Sequence, residues 1–515
     1  MDLLHNLTLA DLLREHRRSR PLLVASVCGD RRSSFPELDT RANRIANALR
    51  ARGVGAGDRI LWLAQNSDRY LELLFAAAKL GARFCPVNWR QSAEEMRFVV
   101  GDCAPSIAFW QEEEIGARVR ETRESLELRA AWIQVDAESG SDPYEALVAS
   151  GDPADPEIEV DQDAPLLQMY TAAFGGRPKG ALLSHRAIVA QSLVLALVDQ
   201  KSEADCYLAS GPLFHMGTFM LALAVFAVGG RLCFVRRVVP EEICAVIERE
   251  RCTGAFLVGP TVDQIAELNR DGRYDLSSLR GMRLHNRDFE RMTAAGLSPW
   301  NRHPGGYGQT ETHGMVTYNC LGAGSAGVSG RTSPVVQLRI LDEEGRELPP
   351  GEVGEIAVRG WTVMNGYHAR DEENARRQRG GWHRTHDLGR READGSLSFI
   401  GPKTRMIKSA AENIYPAEVE RCLASHPAVR ECAVIGVPDP VWVQSVKAIA
   451  VLEPGASVSA EELIEHCRAH IASYKKPRAI EFADALPRVG TAIDYDALDA
   501  RYGGGGYPGG RTRSA

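Results

Sequence analysis

The stretch from Tyr170 to His185 reads YTAAFGGRPKGALLSH and is the most informative part of the chain. A glycine-rich loop that ends in a lysine is typical of a phosphate-holding loop. Glycine lets the backbone amides approach the phosphate closely, and the amides then donate to it. A single loop of this kind is weak evidence for a function, so it has to be read with the sequence around it.

Further motifs follow this loop in a fixed order. They are PLFHMG at 212–217, YGQTE at 307–311, GWHRTHDLG at 381–389, MIKSAAENIYPAEVE at 406–420 and YKKPRAIEFADALPR at 474–488. With the loop, these motifs resemble the acyl-CoA synthetase branch of the adenylate-forming (ANL) superfamily, whose loop usually reads YTSGTTGxPKGxxxxH. Six ordered blocks over about three hundred residues are hard to obtain by chance. The resemblance covers nearly the whole chain.

The periodicity of the first hundred residues predicts an α/β fold. Helical patterns at 35–52 and 67–79 alternate with strand-like runs at 59–63 and 84–87. Strands that alternate with helices indicate layered α/β sheets with parallel pairing. Later, the runs at 338–341 and 354–359 flank the turn-rich DEEGRELPPGEV, so a β-rich subdomain is predicted there.

The pattern restarts near Gly401 and Pro402, which divides the chain into unequal domains. We predict a large AMP-binding domain over 1–400 and a small, mobile α+β domain over 401–501, a size within the domain range. The segment 502–515 reads YGGGGYPGGRTRSA and is predicted to be a disordered tail.

Composition indicates a large cytoplasmic enzyme. The net charge of -7 over 515 residues gives no basic surface of the kind that nucleic-acid binders need. The eleven cysteines show no CxxC pair and no compact Cys/His cluster, so buried reduced thiols are predicted in place of a metal site or disulfides. No signal peptide is evident at the start. The apolar run at 219–228 is too short for a bilayer and predicts a buried helix.

By resemblance, the family reaction has two halves: ATP first converts an acid to an acyl-adenylate, and CoA then displaces AMP. The groups that serve the first half are missing here. The loop has Ala172, Ala173, Phe174 and Gly175 where the family has hydroxyls and a glycine, and Ala492 stands where the family has glycine and lysine. No lysine occurs anywhere after Lys476. Losing one positioned donor typically costs about 10² to 10³ in rate. Adenylation is therefore predicted to be lost, and Mg²⁺ is predicted not to be required.

The groups that the second half would use are retained. By resemblance, the acyl-adenylate is held by Tyr307, Gly308, Gln309, Thr310, Glu311 and Asp387. The predicted catalytic residues are His215, Lys408 and Asn413. The predicted acyl pocket comprises Met216, Phe219, Gly259, Thr261 and Thr312. The predicted CoA tunnel comprises Ser409, Ala410, Ala411 and Glu412.

Several of these residues also allow a structural interpretation. Thr310 and Glu311 can serve as the cap of a helix, and His215 can be a core histidine. Lys408 can be a solvated surface charge, and Phe174 can be a packing residue in a loop that has drifted. The sequence leaves these alternatives open.

The resulting hypothesis is an acyl-CoA ligase-like enzyme that converts a preformed acyl-adenylate and CoA to acyl-CoA and AMP. It resembles the non-adenylating ligases of specialised diterpenoid metabolism and antibiotic biosynthesis, a substrate assignment that rests on analogy alone. A separate adenylating ligase would then be its partner, with no nucleic acid and no membrane involved. The alternatives are a complete ATP-dependent acyl-CoA synthetase and a catalytically dead adenylate-binding protein. A homodimer is left open.

Overall fold

The computed structural model describes residues 3–128, 130–137, 142–171, 177–281, 286–322, 324–403, 405–410, 412–489 and 492–507. Its N-terminal part alternates strands and helices, as predicted. These elements are α1 (Leu9–Ser19), β1 (Val24–Cys28), β2 (Arg31–Ser34), α2 (Phe35–Arg50), β3 (Arg59–Leu63), α3 (Asp68–Leu80), β4 (Arg83–Pro86), α4 (Ala93–Cys103), β5 (Ile107–Trp110), α5 (Gly116–Glu124), β6 (Ala131–Gln134) and α6 (Pro143–Ser150).

The next part of the chain completes two sheets. Its elements are β7 (Pro165–Thr171), β8 (Lys179–Ser184), α7 (His185–Val198), β9 (Cys206–Ala209), α8 (Met216–Ala227), β10 (Arg231–Phe234), α9 (Pro240–Glu250), β11 (Gly254–Ala255), α10 (Gly259–Leu268), α11 (Arg287–Met292) and α12 (Pro299–Arg302). One sheet runs β8-β7-β4-β3-β5-β6 and gains a seventh strand, Gly366–Tyr367, beside β8; the other runs β11-β9-β10-β1-β2. Pairing is parallel except between β7 and β8, between β8 and the seventh strand, and between β1 and β2.

Helix α3 lies between these two sheets. It contacts β1 of one sheet and β3 and β4 of the other, and all of its residues are buried. The helix ends at Gly81, whose φ of 65° is the left-handed conformation that glycine adopts without strain. The main apolar core surrounds α3 and the equally buried α8, which confirms the predicted buried helix near 219–228.

A β-rich subdomain follows. Its elements are β12 (Gly308–Gln309), β13 (Gly314–Met315), β14 (Thr317–Tyr318), β15 (Arg331–Thr332), β16 (Val336–Leu341), β17 (Val353–Gly360), β18 (Gly366–Tyr367), α13 (Asp371–Arg377), β19 (Gln378–Arg379), β20 (Trp382–Arg391) and β21 (Leu397–Pro402). Strands β16 and β17 pair antiparallel around the turn, as the sequence predicts. Short 3-10 turns occur at Leu3–His5, Thr310–Thr312 and Asn319–Leu321.

The small domain has its own sheet and core. Its elements are β22 (Ile407–Ser409), β23 (Glu412–Ile414), α14 (Pro416–Ala424), β24 (Val429–Asp439), β25 (Val443–Leu452), α15 (Ala460–His470), β26 (Ala479–Phe482), β27 (Arg488–Val489), β28 (Ala492–Ile493) and α16 (Tyr495–Tyr502). The sheet runs β23-β22-β25-β24, with β26 on β25. Apolar residues of α14 and α15 pack against it. The fold is therefore mixed α/β with a large N-terminal and a small C-terminal domain.

Two boundaries differ from the prediction. Strand β21 continues to Pro402 because Asp387 and Pro402 are ladder partners, so the large domain extends past residue 400. The segment predicted to be disordered from Tyr502 is folded through Tyr507. Tyr502 ends α16, and Gly505 N donates to Gly436 O over 2.9 Å. A glycine-rich composition is typical of disordered segments, and the sequence alone does not show that these glycines serve a specific backbone conformation. Residues 508–515 lie outside the described part.

The small domain contacts α4 of the large domain through buried polar groups. Lys475 Nζ donates to Glu95 Oε1 of α4 and to Glu418 Oε1 of the small domain, each over 2.6 Å. Ser92 Oγ donates to His470 O over 2.8 Å. These contacts hold the small domain in one orientation against the large one. Among the described helices, none has both the length and the apolar character needed to cross a membrane.

Candidate active site

A cavity of about 360 Å³ lies where the small domain meets the β-rich subdomain. Residues of the predicted adenylate site and of the predicted catalytic set line it together. They are Tyr307, Gly308, Gln309, Thr310, Glu311, Asp387, Lys408 and Asn413. These residues are separated by up to about a hundred positions in the chain, and the cavity has the size of a small-molecule site.

Asp387 lines the cavity and accepts two hydrogen bonds. Its Oδ2 accepts hydrogen bonds from Tyr307 Oη over 2.8 Å and from Gln309 Nε2 over 2.5 Å. The ring of Tyr307 stacks on Phe399 with 5.3 Å between centroids. Burial raises the pKa of the Asp387 carboxyl to about 7, although both hydrogen bonds oppose the shift. The two hydrogen bonds thus fix the Asp387 carboxyl in place as an acceptor, and the charge of this carboxyl changes near neutral pH.

Another part of the site, which we call the cationic wall, combines the carboxylates Glu311 and Glu373 with Lys179 and Arg377. Glu311 Oε1 accepts from Tyr367 Oη over 2.7 Å. Lys179 Nζ and Arg377 Nε both donate to Glu373 Oε1, over 2.6 and 2.9 Å. Burial and the neighbouring Arg377 lower the pKa of Lys179 to about 8. This wall is suited to an anionic group such as a phosphate, because Glu373 fixes the positions of both cations before the anion binds.

Sequence reasoning missed Arg377 and Tyr367. Arg377 is the last residue of α13 and is 4% exposed, and Tyr367 is in β18. Both line the cavity. Neither belongs to a quoted motif, and burial of a charged arginine beside a carboxylate becomes visible only in three dimensions.

The small domain contributes the hairpin of β22 and β23 to the cavity. Lys408 and Asn413 are ladder partners in this hairpin, and Lys408 Nζ donates to Asn413 Oδ1 over 2.8 Å. Burial lowers the pKa of Lys408, while Glu412 opposes the shift. The structure therefore favours a site residue over a solvated surface charge for Lys408. Ser409 ends β22 and Ala410 follows it, and neither of them lines the cavity. Ala411 is not among the described residues.

Glu412 connects this hairpin to the large domain. Its Oε1 lies 3.0 Å from His215 Nε2 and 2.5 Å from Arg90 Nη2. Burial would raise the pKa of the Glu412 carboxyl, but His215 and Arg90 outweigh it and lower the pKa to about 2. His215 precedes α8 and is about one third exposed, so it lies at the domain junction and not in the core.

Two family models match the chain in series. The model described as AMP-binding enzyme matches residues 13–368, and the model described as AMP-binding enzyme C-terminal domain matches residues 418–492. The chain belongs to the AMP-binding enzyme family. The predicted membership in the acyl-CoA synthetase branch of the ANL superfamily is confirmed. The predicted non-adenylating specialisation in diterpenoid metabolism has no support from the similar proteins.

The relatives of this AMP-binding enzyme are similar over almost their whole length. It is 34% identical over 481 residues to a feruloyl-CoA synthase of an Amycolatopsis species, which covers 92% of this chain and 95% of that protein. It is 33% identical to indoleacetate–CoA ligase of Aromatoleum aromaticum, over 93% of this chain and 95% of the relative. A structure of o-succinylbenzoate CoA synthetase from Bacillus subtilis superimposes with a TM-score of 0.78 at 26% identity, over 95% and 97% of the two chains.

The predicted acyl-pocket residues of the AMP-binding enzyme lie near α8, α10 and the turn after β12. Met216, Phe219, Thr261 and Thr312 are buried, and Gly259 begins α10. Thr312 Oγ1 donates to Gly314 O over 2.7 Å, so this hydroxyl fixes the turn. None of the five lines the cavity described above. Their role in holding an acyl group remains a prediction.

Two predicted features of the AMP-binding enzyme cannot be compared with the structure. Residues Ala172, Ala173, Phe174 and Gly175 lie outside the described part. Ala492 is described only by its backbone, which pairs with Val489 in a hairpin of the small domain.

The tertiary structure assembles cysteines that are far apart in the sequence. The sulfurs of Cys206, Cys233 and Cys252 lie within 4.8 Å of one another, and all three side chains are buried. Cys422, His466 and His470 form a second such group. Spacing in the sequence does not show these groups: the neighbouring strands β9 and β10 bring Cys206 and Cys233 together, and α14 and α15 bring Cys422 to His466 and His470. Buried reduced thiols were predicted, and all eleven cysteines are free thiols, nine of them buried and two, Cys28 and Cys320, half-buried.

Proposed function

We propose that this AMP-binding enzyme is an acyl-CoA ligase that joins an acyl group, presented as its adenylate, to the thiol of CoA. One observation carries the proposal. Lys408 and Asn413 of the small domain line the same cavity as Tyr307, Glu311 and Asp387 of the large domain. The names of the relatives, which form or ligate CoA thioesters, support the same class of reaction.

In the proposed step, the CoA sulfur attacks the acyl carbonyl carbon of the adenylate. A carbon–sulfur bond forms, the carbon–oxygen bond to the phosphate breaks, and AMP leaves with the electron pair. The thiol proton passes to solvent. Lys408 would favour the thiolate, which is the nucleophilic form. Thr310, Lys179 and Arg377 would stabilise the charge that develops on the departing phosphate.

The first candidate within this class is a complete ATP-dependent acyl-CoA synthetase. The comparisons favour it over a partial enzyme, since the relatives carry the names of whole CoA ligases and synthases. The expectation that Mg²⁺ is not required has no support from these relatives. Glu311 fits a Mg²⁺ ligand, because its carboxylate faces the cavity and a hard cation prefers oxygen. Bound Mg²⁺ would neutralise charge on the triphosphate of ATP.

The second candidate is an enzyme limited to thioester formation. It rests on the residues of this chain alone: there is no lysine after Lys476, and no hydroxyl at positions 172–175. Such an enzyme would take its acyl-adenylate from a separate adenylating ligase. The hairpin residues Ser409, Ala410, Ala411 and Glu412 would then border the route by which CoA reaches the site.

Two assays on the unmodified protein separate these candidates. In the first, synthetic feruloyl-adenylate or indoleacetyl-adenylate is supplied with CoA, and acyl-CoA and AMP are measured. In the second, the free acid is supplied with ATP, Mg²⁺ and CoA, and exchange of pyrophosphate into ATP is measured separately. Thioester in both assays supports the complete synthetase, and thioester in the first alone supports the limited enzyme. If no acyl-adenylate in an expanded panel gives thioester, the proposal is wrong and a dead adenylate-binding protein is favoured.

The raised pKa of Asp387 makes nucleotide binding depend on pH. The family resemblance assigns the ribose hydroxyls of the nucleotide to Asp387. We expect the affinity for adenosine to rise about tenfold between about pH 6 and pH 8, since only ionised Asp387 accepts from both hydroxyls and its pKa is about 7. Burial disfavours the charged form, so binding is lost as the pH falls through that value. Adenosine is used as the ligand in place of AMP, because AMP has a phosphate that titrates in this pH range.

Calorimetric titration across this range measures the effect, and Asp387→Asn is the matched control. The control should bind adenosine weakly and without the pH dependence, because its amide does not titrate. Equal affinity of the unmodified protein at both ends of the range would contradict the assignment of Asp387 as the ribose acceptor.

A further inference from the structure

The glycine-rich segment after α16 is folded along a path that requires glycine. Gly505 and Gly506 have φ of 129° and 73°, a region that other residues rarely adopt. A Cβ at Gly504 would lie 2.0 Å from Asp499 Oδ1, so a side chain has no room there. We call residues 503–507 the C-terminal strap. Its run of glycines is explained by its conformation rather than by disorder.

The strap is attached to the small domain at the same point as the catalytic hairpin. Gln444 Nε2 donates to Gly505 O over 2.6 Å, and Gln444 Oε1 accepts from Lys408 N over 2.8 Å. Gln444 is 3% exposed, so one buried amide holds both segments. Gly505 N also donates to Gly436 O over 2.9 Å. The strap therefore moves with the small domain and with Lys408.

The strap ends with Tyr507 in the candidate active site. Tyr507 lines the cavity together with Tyr307, Asp387 and Tyr415. Burial, followed by the nearby Asp387 carboxylate, raises the pKa of the Tyr507 phenol. Tyr507 thus belongs to the part of the cavity around Asp387.

We infer that Tyr507 is a binding residue for the nucleoside part of AMP and of the acyl-adenylate. The inference rests on the proposed function, in which this cavity receives an adenylate. The aromatic ring supplies apolar contact area for a purine nucleoside, and the phenol supplies a polar group beside Asp387. Because Gln444 connects the strap to Lys408, Tyr507 reaches the nucleotide in the orientation that also presents Lys408 and Asn413. The strap would therefore retain the adenylate during thioester formation and release AMP when the small domain moves away.

The test is the affinity for AMP, measured by calorimetry on full-length protein and on Tyr507→Ala. We expect the dissociation constant for AMP to rise about three- to tenfold in the variant, the size of effect expected for loss of an aromatic contact. The KM for the acyl-adenylate should rise by the same factor. The KM for CoA and the midpoint of thermal unfolding should stay unchanged, because the strap lies at the nucleotide end and contributes little to the core.

Two shortened chains provide a matched pair. A chain that ends at Tyr507 should bind AMP like the full chain, and a chain that ends at Tyr502 should bind it as weakly as Tyr507→Ala. Unchanged affinity for AMP in Tyr507→Ala, or equal loss in both shortened chains, would overturn the inference. AMP binding needs no turnover, so an unmodified protein that binds AMP but forms no thioester would refute the proposed function and leave the test of Tyr507 intact. Absence of AMP binding by the unmodified protein would overturn both.

Discussion

Lys475→Met should reduce thioester formation from acyl-adenylate and CoA by about 10²- to 10³-fold. Lys475 is 4% exposed and is bound to Glu95 of the large domain and Glu418 of the small domain, each over 2.6 Å. Removing one partner of a buried ion pair leaves uncompensated charge and costs about 3–5 kcal/mol. Each factor of ten in an equilibrium corresponds to about 1.4 kcal/mol. The orientation that presents Lys408 to the cavity should therefore become rare.

Single-turnover formation of acyl-CoA measures this loss. The variant Glu95→Gln separates the contribution of the contact between the domains from that of the ion pair within the small domain. Glu95 also caps α4, where its Oε2 accepts from Ser92 N, and glutamine can serve as well in this position. The glutamine variant weakens only the contact between domains and leaves Lys475 paired with Glu418. We expect a smaller loss of rate and an unchanged midpoint of thermal unfolding for the small domain. A Lys475→Met enzyme with the rate of the unmodified protein would show that this contact does not control the productive orientation.

Restoring the missing family groups should raise ATP–pyrophosphate exchange by about 10²-fold or more if the enzyme is limited to thioester formation. The restored enzyme carries Ala172→Ser, Ala173→Gly, Phe174→Thr and Gly175→Thr, together with Ala492→Gly and a lysine inserted after it. The added lysine alone should recover little activity, because Phe174 still occupies the phosphate loop and groups that act as a unit are not additive. The backbone of Ala492 pairs with Val489 in a hairpin of the small domain, so the position of the new lysine depends on the orientation of that domain.

Exchange of pyrophosphate into ATP with ferulic or indoleacetic acid measures the gain. The lysine-only and loop-only variants are the controls, and both should form thioester from supplied acyl-adenylate at the unmodified rate. Robust exchange by the unmodified protein would show that the substituted positions do not prevent adenylation. This result would favour the complete ATP-dependent synthetase, in agreement with the names of the relatives.

Much of the fold follows from local sequence patterns. The alternating strands and helices near 59–87 match β3, α3 and β4 to within about a residue or two, the usual uncertainty of element boundaries. The β16–β17 hairpin follows from its turn-rich linker. These elements were predictable because apolar periodicity and turn residues act over short distances in the chain. The motif residues Tyr307, Glu311, Asp387, Lys408 and Asn413 were also found by sequence and do meet in one cavity.

The sequence by itself determined the family, the alternation of the first strands and helices, and eight of the twenty residues that line the cavity. Only the tertiary structure decided which orientation the small domain takes, since the pairing of Lys475 with Glu95 joins residues 380 positions apart. It also decided that Arg377 faces the cavity and that the glycines after Tyr502 direct Tyr507 into it. These features depend on burial, long-range ion pairs and backbone conformation. None of them leaves a periodic signal in the chain, and the composition of the strap even suggests disorder.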